Sequence, residues 1–187
     1  MANLRSTFFA LPFIVLMNGM AFAGDAPTTL ELYPTDASDE CVEGTTQIRV
    51  NVIGVKAKGI MKLELYNSDK GFLRKKGRLR PIRDAAQDGP MRMCINVPEP
   101  GIYAVAGYHD VDGNRKLKQK WDFTPREPYG LSNNPQIKER RMPGFDEAAF
   151  EVGPQGTDID FVLVDLKAEK KARKAAKKAA KSAGDND

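Results

Sequence analysis

Oxygen-bearing side chains cluster directly after one predicted strand. Asp110, Asp112 and Asn114 have the spacing of the first three oxygen ligands of a calcium loop, and carboxylate oxygens suit a hard divalent cation. The pattern then departs from that loop. Gly113 is its fourth residue and not its sixth, and Trp121 stands twelfth, where a bidentate carboxylate is required. The sequence therefore favours a β-turn with local hydrogen bonds, and calcium binding is the alternative.

His109 is the single histidine of the chain. An imidazole titrates near neutral pH and could act as a base or a metal ligand, but neighbours in a strand point to opposite faces, so Asp110 cannot readily orient it. The chain has no Gly-x-Ser-x-Gly, His-Glu-x-x-His or phosphate-loop motif. A structural histidine is favoured. The alternative is a hydrolase that uses His109 or a carboxylate pair drawn from Asp110, Asp112, Asp122 and Glu127.

Aromatic residues follow the acidic turn. Trp121, Phe123 and Tyr129 are interleaved with polar side chains, and aromatic faces beside amides can stack on a sugar or a peptide. Ordinary packing of these rings is the favoured interpretation, because aromatic side chains are usually buried. The candidate rim site comprises His109, Asp110, Asp112, Asn114, Trp121, Tyr129 and Asn133.

The segments that position these residues alternate apolar and polar side chains, as half-buried strands do. Strands are predicted over 28–33, 47–55, 60–66, 91–97, 101–108, 148–152 and 157–164. Short strands separated by Gly, Pro and Asn predict an all-β protein, a single antiparallel β-sandwich, with a closed barrel as the alternative. The predicted division is a secretory signal (1–23), an N-terminal extension with a possible first strand (24–46), the sandwich (47–166) and a basic tail (167–187).

The first 23 residues have the layout of a secretory signal peptide. Arg5 is followed by an apolar run over 8–17 and by the small-x-small sequence Ala21-Phe22-Ala23. The apolar run is about half the roughly 20 residues that a membrane-spanning helix needs, and no later segment is suited to crossing a membrane. The mature chain is therefore predicted to begin near Gly24 and to be periplasmic or secreted.

Two cysteines remain in the mature chain, which an oxidising compartment allows to pair. Cys94 falls in a predicted strand with Met93 and Ile95 on the core side, so a bridge to Cys41 would attach the N-terminal extension to the outer face. Two unpaired thiols are the alternative. The absence of a Cys-x-x-Cys pair argues against a redox role.

Basic residues are concentrated in two segments. The tail, 167–181, holds eight basic residues and one glutamate, so the remainder of the chain is net acidic although the total charge is +4. Its Ala/Lys composition favours helix, although a helix of this length is marginal alone in water. Association of the tail with an anionic surface and a solvated, disordered tail are equal alternatives. The predicted basic surface comprises Lys70, Arg74, Lys75, Lys76, Arg78, Arg80 and Arg83 in one loop, and Lys170, Lys171, Arg173, Lys174, Lys177 and Lys178 in the tail.

Several separated motifs resemble one bacterial family. They are Leu65-Tyr66-Asn67-Ser68 with Gly71-Phe72-Leu73, Pro100-Gly101-Ile102-Tyr103-Ala104-Val105, His109-Asp110 with Asp112-Gly113-Asn114 and Lys116-Leu117, Tyr129-Gly130-Leu131-Ser132-Asn133-Asn134, and Phe145-Asp146-Glu147-Ala148-Ala149-Phe150. Over roughly residues 47–163 the chain is similar to the family called domain of unknown function 2141. The resemblance implies an exported, immunoglobulin-like or transthyretin-like β-sandwich and no established activity. The Lys/Arg-rich loops and the basic tail depart from the usual pattern of the family.

These patterns together predict an exported, non-enzymatic binding or structural module of the bacterial envelope. Its rim loops would recognise a ligand, and its tail would associate with an anionic surface by charge. Nucleic acid is an improbable partner for an exported protein, and no cofactor is predicted apart from the calcium alternative. A calcium-stabilised module and a hydrolase are the competing functions.

Overall fold

The computed structural model describes residues 30, 32–120, 125–136 and 141–184, with the backbone alone from 179 onward. Its strands are β1 (Gln47–Val55), β2 (Ile60–Tyr66), β3 (Arg80–Ala85), β4 (Gly89–Asn96), β5 (Gly101–Asp110), β6 (Tyr129–Leu131), β7 (Phe150–Val152) and β8 (Thr157–Val162). Its helices are α1 (Phe145–Ala148) and α2 (Leu166–Gly184), with single 3₁₀ turns at Pro34–Asp36 and Lys75–Gly77.

The strands form two sheets. The first has the order β4-β1-β8, and the second has the order β3-β2-β5-β6, with β7 paired to the first residues of β5. The predicted all-β sandwich is confirmed, with one difference: β1 and β8 run parallel, whereas the other strand pairs of the described residues are antiparallel. A parallel pair needs a long connection, and here most of the chain lies between its two strands.

The core lies between the sheets and follows the alternation seen in the sequence. Ile48, Val50 and Val52 of β1 are fully buried, and Leu63 and Val105 face them from the second sheet. Burial of each such side chain stabilises the fold by about 1.5–3 kcal/mol. The alternation that predicted the strands therefore also identifies the face that holds the sheets together.

Residues 33–46, here called the N-terminal strap, connect the edge strands of the two sheets. Asp39 binds Arg80 of β3 through two hydrogen bonds of 2.6 and 2.9 Å, and its backbone N–H donates to the carbonyl of Cys94 in β4. The disulfide Cys41–Cys94 joins the strap to β4, with 5.4 Å between the Cα atoms. Half of the predicted strand at 28–33 falls outside the described residues, and its described residues, Leu30, Leu32 and Tyr33, belong to no strand.

The opposite edges of the sheets meet through backbone contacts. Tyr129 of β6 and Val164, just after β8, exchange hydrogen bonds of 2.8 and 3.2 Å. Asn134 extends this contact, because its side-chain amide donates to Asp160 and accepts from the Val162 N–H as a strand backbone would. The sandwich is thus linked along both sides.

The second sheet buries its outer face as well as its core face. The β2–β3 connection returns over that face and places Phe72 edge-to-face against Tyr66 and Phe145, at 5.1 and 5.7 Å between ring centroids. Only 67–79 of this basic segment is a connection, because Arg80 and Arg83 lie in β3, which the sequence had not indicated as a strand. Charged residues predicted to face water are therefore packed against the sheet.

The tail forms α2. The Asp165 carboxylate accepts from the N–H groups of Lys167 and Ala168, at 3.0 and 2.9 Å, which caps the first turn. Within the described part of the chain, none of the helices has the length and apolar character that crossing a membrane would require.

Replacing Cys41 and Cys94 with alanine should lower the free energy of unfolding by about 2–4 kcal/mol. The bridge joins residues 53 apart and restricts the unfolded chain accordingly. Urea unfolding of the oxidised wild type and the double variant measures the difference. Reductant should shift the wild type toward the variant and leave the variant unchanged. An equal midpoint for both would show that the ion pairs and hydrogen bonds of the strap hold it without the bridge.

Candidate functional site

The structure places three carboxylates at the end of β5. Each of Asp110, Asp112 and Glu127 offers an oxygen, and these oxygens lie within 4.8 Å of one another. Asp110 and Glu127 are buried, with 1% and 7% exposure, and Asp112 is exposed. The sequence put Asp110 and Asp112 on one turn, but only the fold brings Glu127 to them, from the residues that lead into β6.

These carboxylates are already engaged by local donors. Asp110 accepts from the backbone N–H groups of Asn114 and Arg115, at 3.2 and 2.5 Å. Asp112 pairs with the Lys118 ammonium, and Glu127 accepts from the Lys118 N–H at 3.1 Å. The arrangement is that of a hydrogen-bonded turn, as the sequence favoured.

Burial and mutual repulsion alter how the three groups titrate. Burial raises the pKa of Asp110, and the neighbouring Asp112 raises it further against the two backbone donors. Burial also raises the pKa of Glu127, with a contribution from Asp110 and Asp112. The pKa of Asp112 falls, because it pairs with Lys118. A divalent cation here would gain Asp110, Asp112 and Glu127 as ligands, but it would have to displace Lys118. Asn114, the third predicted ligand, uses its side-chain oxygen on the N–H of Lys116.

His109 faces away from this cluster. Its side chain is 1% exposed, and its Nε2 lies 2.6 Å from the carbonyl oxygen of Lys58. Because a carbonyl oxygen only accepts, Nε2 carries the proton and is the donor. The ring therefore joins the β1–β2 connection to β5, and Asp110 lies on the other face of the strand.

The remaining members of the predicted rim are dispersed. Asn133 donates to the Ala149 carbonyl at 2.6 Å, beside α1. Since β6 runs antiparallel to β5, with Leu131 opposite Ala106, Asn133 lies roughly 15–20 Å along β5 from Asp110. Tyr129 is buried in a different site, described next. Trp121 lies outside the described residues.

A cleft lies on the outer face of the second sheet. We call it the outer-face cleft; its volume is about 940 Å³. Its floor is formed by β2, β5 and β6, and its walls by the β2–β3 and β5–β6 connections. Six cationic side chains of the described residues line it, namely Lys62, Arg74, Lys75, Arg78, Arg83 and Arg115, against one described carboxylate, Glu64.

Glu64 organises the floor of the cleft. Its carboxylate pairs with Lys62 and Arg78 and accepts a hydrogen bond of 2.7 Å from the Tyr66 hydroxyl. Burial alone would raise the pKa of Glu64, but these partners outweigh it and the pKa lies below its ordinary value. For Lys62, which is 6% exposed, burial prevails over the attraction of Glu64, and its pKa is lowered.

A second carboxylate positions two guanidinium groups at the cleft wall. Asp36 of the N-terminal strap pairs with Arg83 of β3 and with Arg115 of the β5–β6 connection, the latter at 2.7 Å. The Arg115 guanidinium also lies over the Tyr33 ring, 4.6 Å from its centroid. The strap therefore fixes cations that belong to two different elements.

The predicted basic surface divides into two groups. Arg78, Arg80 and Arg83 pair with carboxylates, whereas no ion pair of Arg74 or Lys75 occurs among the described residues. On α2 the predicted cations are all exposed, namely Lys170, Lys171, Arg173, Lys174, Lys177 and Lys178. A groove of about 690 Å³ runs between α2 and Lys120, Pro125 and Arg126, and Pro125 also lines the outer-face cleft.

Sequence reasoning missed four cleft residues: Lys62, Glu64, Tyr108 and Arg115. Lys62 and Glu64 fall in the predicted strand 60–66, where they alternate with Leu63 and Leu65, but the strand pattern does not show that another segment covers the face they share. The available signal was Phe72-Leu73 in the following connection, because two large apolar residues in a basic loop need a surface to cover.

Comparison with known proteins identifies the family of the chain but no individual similar protein. A family model described as "Uncharacterized protein conserved in bacteria (DUF2141)" matches residues 50–160, more than half of the chain. No curated protein and no solved structure matches the chain.

Replacing Glu127 with glutamine should stabilise the protein at pH 7 and not at acid pH. The raised pKa means that Glu127 ionises more readily in the unfolded chain than in the folded protein. Stability is therefore lost as the pH rises from 4.5, the ordinary pKa of a glutamate, through the higher pKa of Glu127 in the folded protein. The amide keeps an acceptor for the Lys118 N–H and removes one charge from the cluster. Urea unfolding at pH values on both sides of 4.5 measures the difference.

The control for this variant is Glu151→Gln, which removes the same charge at an exposed position. A stability difference for Glu127→Gln that did not change with pH would contradict the electrostatic explanation. So would a variant that was less stable than the wild type at pH 7.

Proposed function

Since the chain belongs to the bacterial family DUF2141, whose members are described only as uncharacterised, we propose that it is an exported, non-enzymatic binding module of the envelope. Its helix α2 would hold it at an anionic lipid surface, while the sandwich carries the recognition surfaces. The observation that carries this proposal is the exposure of every described α2 side chain from Lys167 to Lys178.

The composition of α2 favours attachment by charge over insertion. The helix presents its cations along one side, and the small side chains of the opposite side, such as Ala172 and Ala175, offer little apolar area for a bilayer. Each basic residue close to an anionic membrane contributes about 1 kcal/mol of attraction, which added salt screens. A helix of this kind would bind reversibly at the surface.

The body of the protein extends the basic surface. Lys167, Lys170 and Lys171 of α2 share a groove with Lys120 and Arg126. This places the tail cations beside those of the β5–β6 connection, so that one positive surface includes parts of both. Such a surface suits a planar anionic partner better than an isolated arm would.

Two observations and one general rule support export. The N-terminal sequence has the layout of a signal peptide, the cysteines pair, and disulfides persist mainly in oxidising compartments. The disulfide also holds the strap that positions cleft residues, so an oxidising compartment would be needed for the binding site as well as for stability.

The contacts favour binding over hydrolysis. The two oxygens of Asp110 accept backbone N–H groups, Asp112 is neutralised by Lys118, and the His109 Nε2 donates to a carbonyl. These groups hold the turn and the strand end. The outer-face cleft, in contrast, has cations without matching carboxylates and is the better recognition surface.

Expression of residues 1–187 in a Gram-negative host should yield a periplasmic protein that begins at Gly24. Mass spectrometry of the periplasmic fraction measures the mature mass and the state of the cysteines, which should lack two hydrogens. Ala23→Leu, which places a bulky residue before the cleavage position, should accumulate as the longer precursor. An unprocessed wild-type protein confined to the cytosol would contradict export.

Replacing Lys171, Arg173, Lys174, Lys177 and Lys178 with glutamine should weaken binding to anionic vesicles by at least about a hundredfold. Glutamine has a helix propensity close to that of lysine, so α2 should remain folded. Co-sedimentation with vesicles of phosphatidylglycerol and phosphatidylcholine, at low and high salt, measures the affinity. Vesicles of phosphatidylcholine alone should bind neither protein.

The matched control removes five charges from the body. It replaces the exposed residues Lys56, Lys58, Lys70, Lys76 and Lys116 with glutamine and has the same net charge as the tail variant. It should retain most of the vesicle binding. Equal losses in the two variants would show that net charge, and not the helix, determines attachment.

A further inference from the structure

The outer-face cleft contains a row of hydrogen-bond donors that crosses four strands. Lys62 of β2 lies opposite Arg83 of β3 on one side and opposite Tyr108 of β5 on the other, and Tyr108 lies opposite Tyr129 of β6. The Lys62 ammonium lies 5.1 Å from the centroid of the Tyr108 ring. Residues directly opposite each other on one face are neighbours in space, so the four side chains form a continuous strip.

One of these donors has no acceptor among the residues that the structure describes. The Tyr129 side chain is 4% exposed, and its hydroxyl is buried without a hydrogen-bond partner in the described part of the protein. Burial raises the pKa of Tyr129 to about 12, so the hydroxyl keeps its proton at neutral pH. It needs either an acceptor for its O–H group or a donor for its oxygen. A buried polar group without a partner lowers stability, and an acceptor brought by a ligand would remove that cost.

The Arg83 guanidinium also has an unpaired buried nitrogen, but that atom has a local explanation. Arg83 binds one oxygen of Asp36 through Nη1, and its Nε and the other Asp36 oxygen are both unpaired. The two atoms belong to one ion pair, and a small rotation would join them. The carboxylate that raises the pKa of Tyr129 together with burial is Glu169 of α2, which is exposed to water and makes no hydrogen bond to the hydroxyl. Among the described residues, Tyr129 is therefore the stronger indication of an absent acceptor.

The charges of the cleft are unequal. Glu64 and Asp36 supply two carboxylates for the six cations that line it. Lys62 is nine-tenths buried with only Glu64 as its anionic partner among the described residues, and burial lowers its pKa. An anion in the cleft would therefore gain from cations that are already partly stripped of water.

The next row of the same face is apolar on β5 and β6. Glu64 lies opposite Ala106, which lies opposite Leu131, and both apolar residues belong to the cluster with Phe72 and Phe145. Leu73, Leu117 and Met142 also line the cleft. A ligand that covered both rows would meet donors at one end and apolar side chains at the other.

From this geometry we infer that the outer-face cleft binds one amphiphilic anion, a carboxylate or phosphate monoester that carries an apolar chain. The oxyanion accepts hydrogen bonds from Tyr129 and is neutralised by Lys62 and Arg83. The chain lies over Ala106 and Leu131 toward Phe72. The volume of about 940 Å³ is at the upper end of the range for small-molecule sites.

The inference rests on residues that the attachment of α2 does not use, so the two can fail separately. The probes are octanoate and octyl phosphate, each kept monomeric, and titration calorimetry with the full mature chain measures their affinity. Both head groups share the proposed chemistry, and preference for one identifies the head group. Acetate and inorganic phosphate, which lack the chain, and octyltrimethylammonium, which reverses the charge, should bind at least tenfold more weakly.

Tyr129→Phe should reduce the affinity for the octyl anions by about tenfold, which corresponds to the loss of one hydrogen bond to a charged group. Its thermal midpoint should be unchanged or higher, because the substitution removes an unsatisfied buried hydroxyl. Lys62→Met, which keeps the approximate length of the side chain and removes its charge, should reduce the affinity for the same ligands at least as much.

The matched control is Tyr103→Phe. It removes a hydroxyl that donates to the Glu99 carbonyl at 2.9 Å, on the core face of β5, and should leave the affinity unchanged. The tail variant with five glutamines should bind octanoate as the wild type does. Equal affinities in wild type and Tyr129→Phe, equal binding of octyltrimethylammonium and octanoate, or no binding of either octyl anion would each overturn the inference.

Discussion

The outer face of the second sheet depends on one carboxylate, Glu64. A sandwich ordinarily leaves this face to water, but here the β2–β3 connection covers it, and the charged side chains beneath must find partners inside the protein. Glu64 binds Lys62, Tyr66 and Arg78, and so pairs with one cation of the strand that carries it and one cation of the connection that covers it. Without a charge of that sign the cations would repel one another in a poorly solvated space.

The N-terminal strap makes the cleft dependent on elements far away in sequence. Asp36 joins Arg83 to Arg115, Asp39 binds Arg80, and the disulfide anchors the same segment to β4 in the other sheet. The strap thus links the edges of both sheets and sets the positions of two guanidinium groups. Stability and ligand recognition are therefore coupled through a segment that contributes no strand.

The sequence predicted the elements whose signal is periodic. β1, β2 and β5 bury alternate residues in the core, and the alternation of Ile48, Val50 and Val52 is readable directly. It did not predict β3, because Pro81 with Arg80 and Arg83 resembles a solvated loop until Asp39 and Asp36 are brought to the two arginines. The candidate site was partly predicted for the same reason: Asp110 and Asp112 share a turn, whereas the cleft is built from cross-strand pairs whose register no single sequence displays.

The chemistry of the cleft floor is difficult to explain by stability alone. An ion pair such as Lys62–Glu64, largely removed from water, gains in attraction about what it loses in desolvation, and apolar residues of similar size are often as stable or more so. The Tyr129 hydroxyl adds a cost with no compensating contact among the described residues. Ala106 and Leu131, in the adjacent row, show that the same strands accept apolar side chains on this face. The polar row is thus a specific departure from the packing around it, and a ligand that supplies negative charge and an acceptor converts its cost into binding energy.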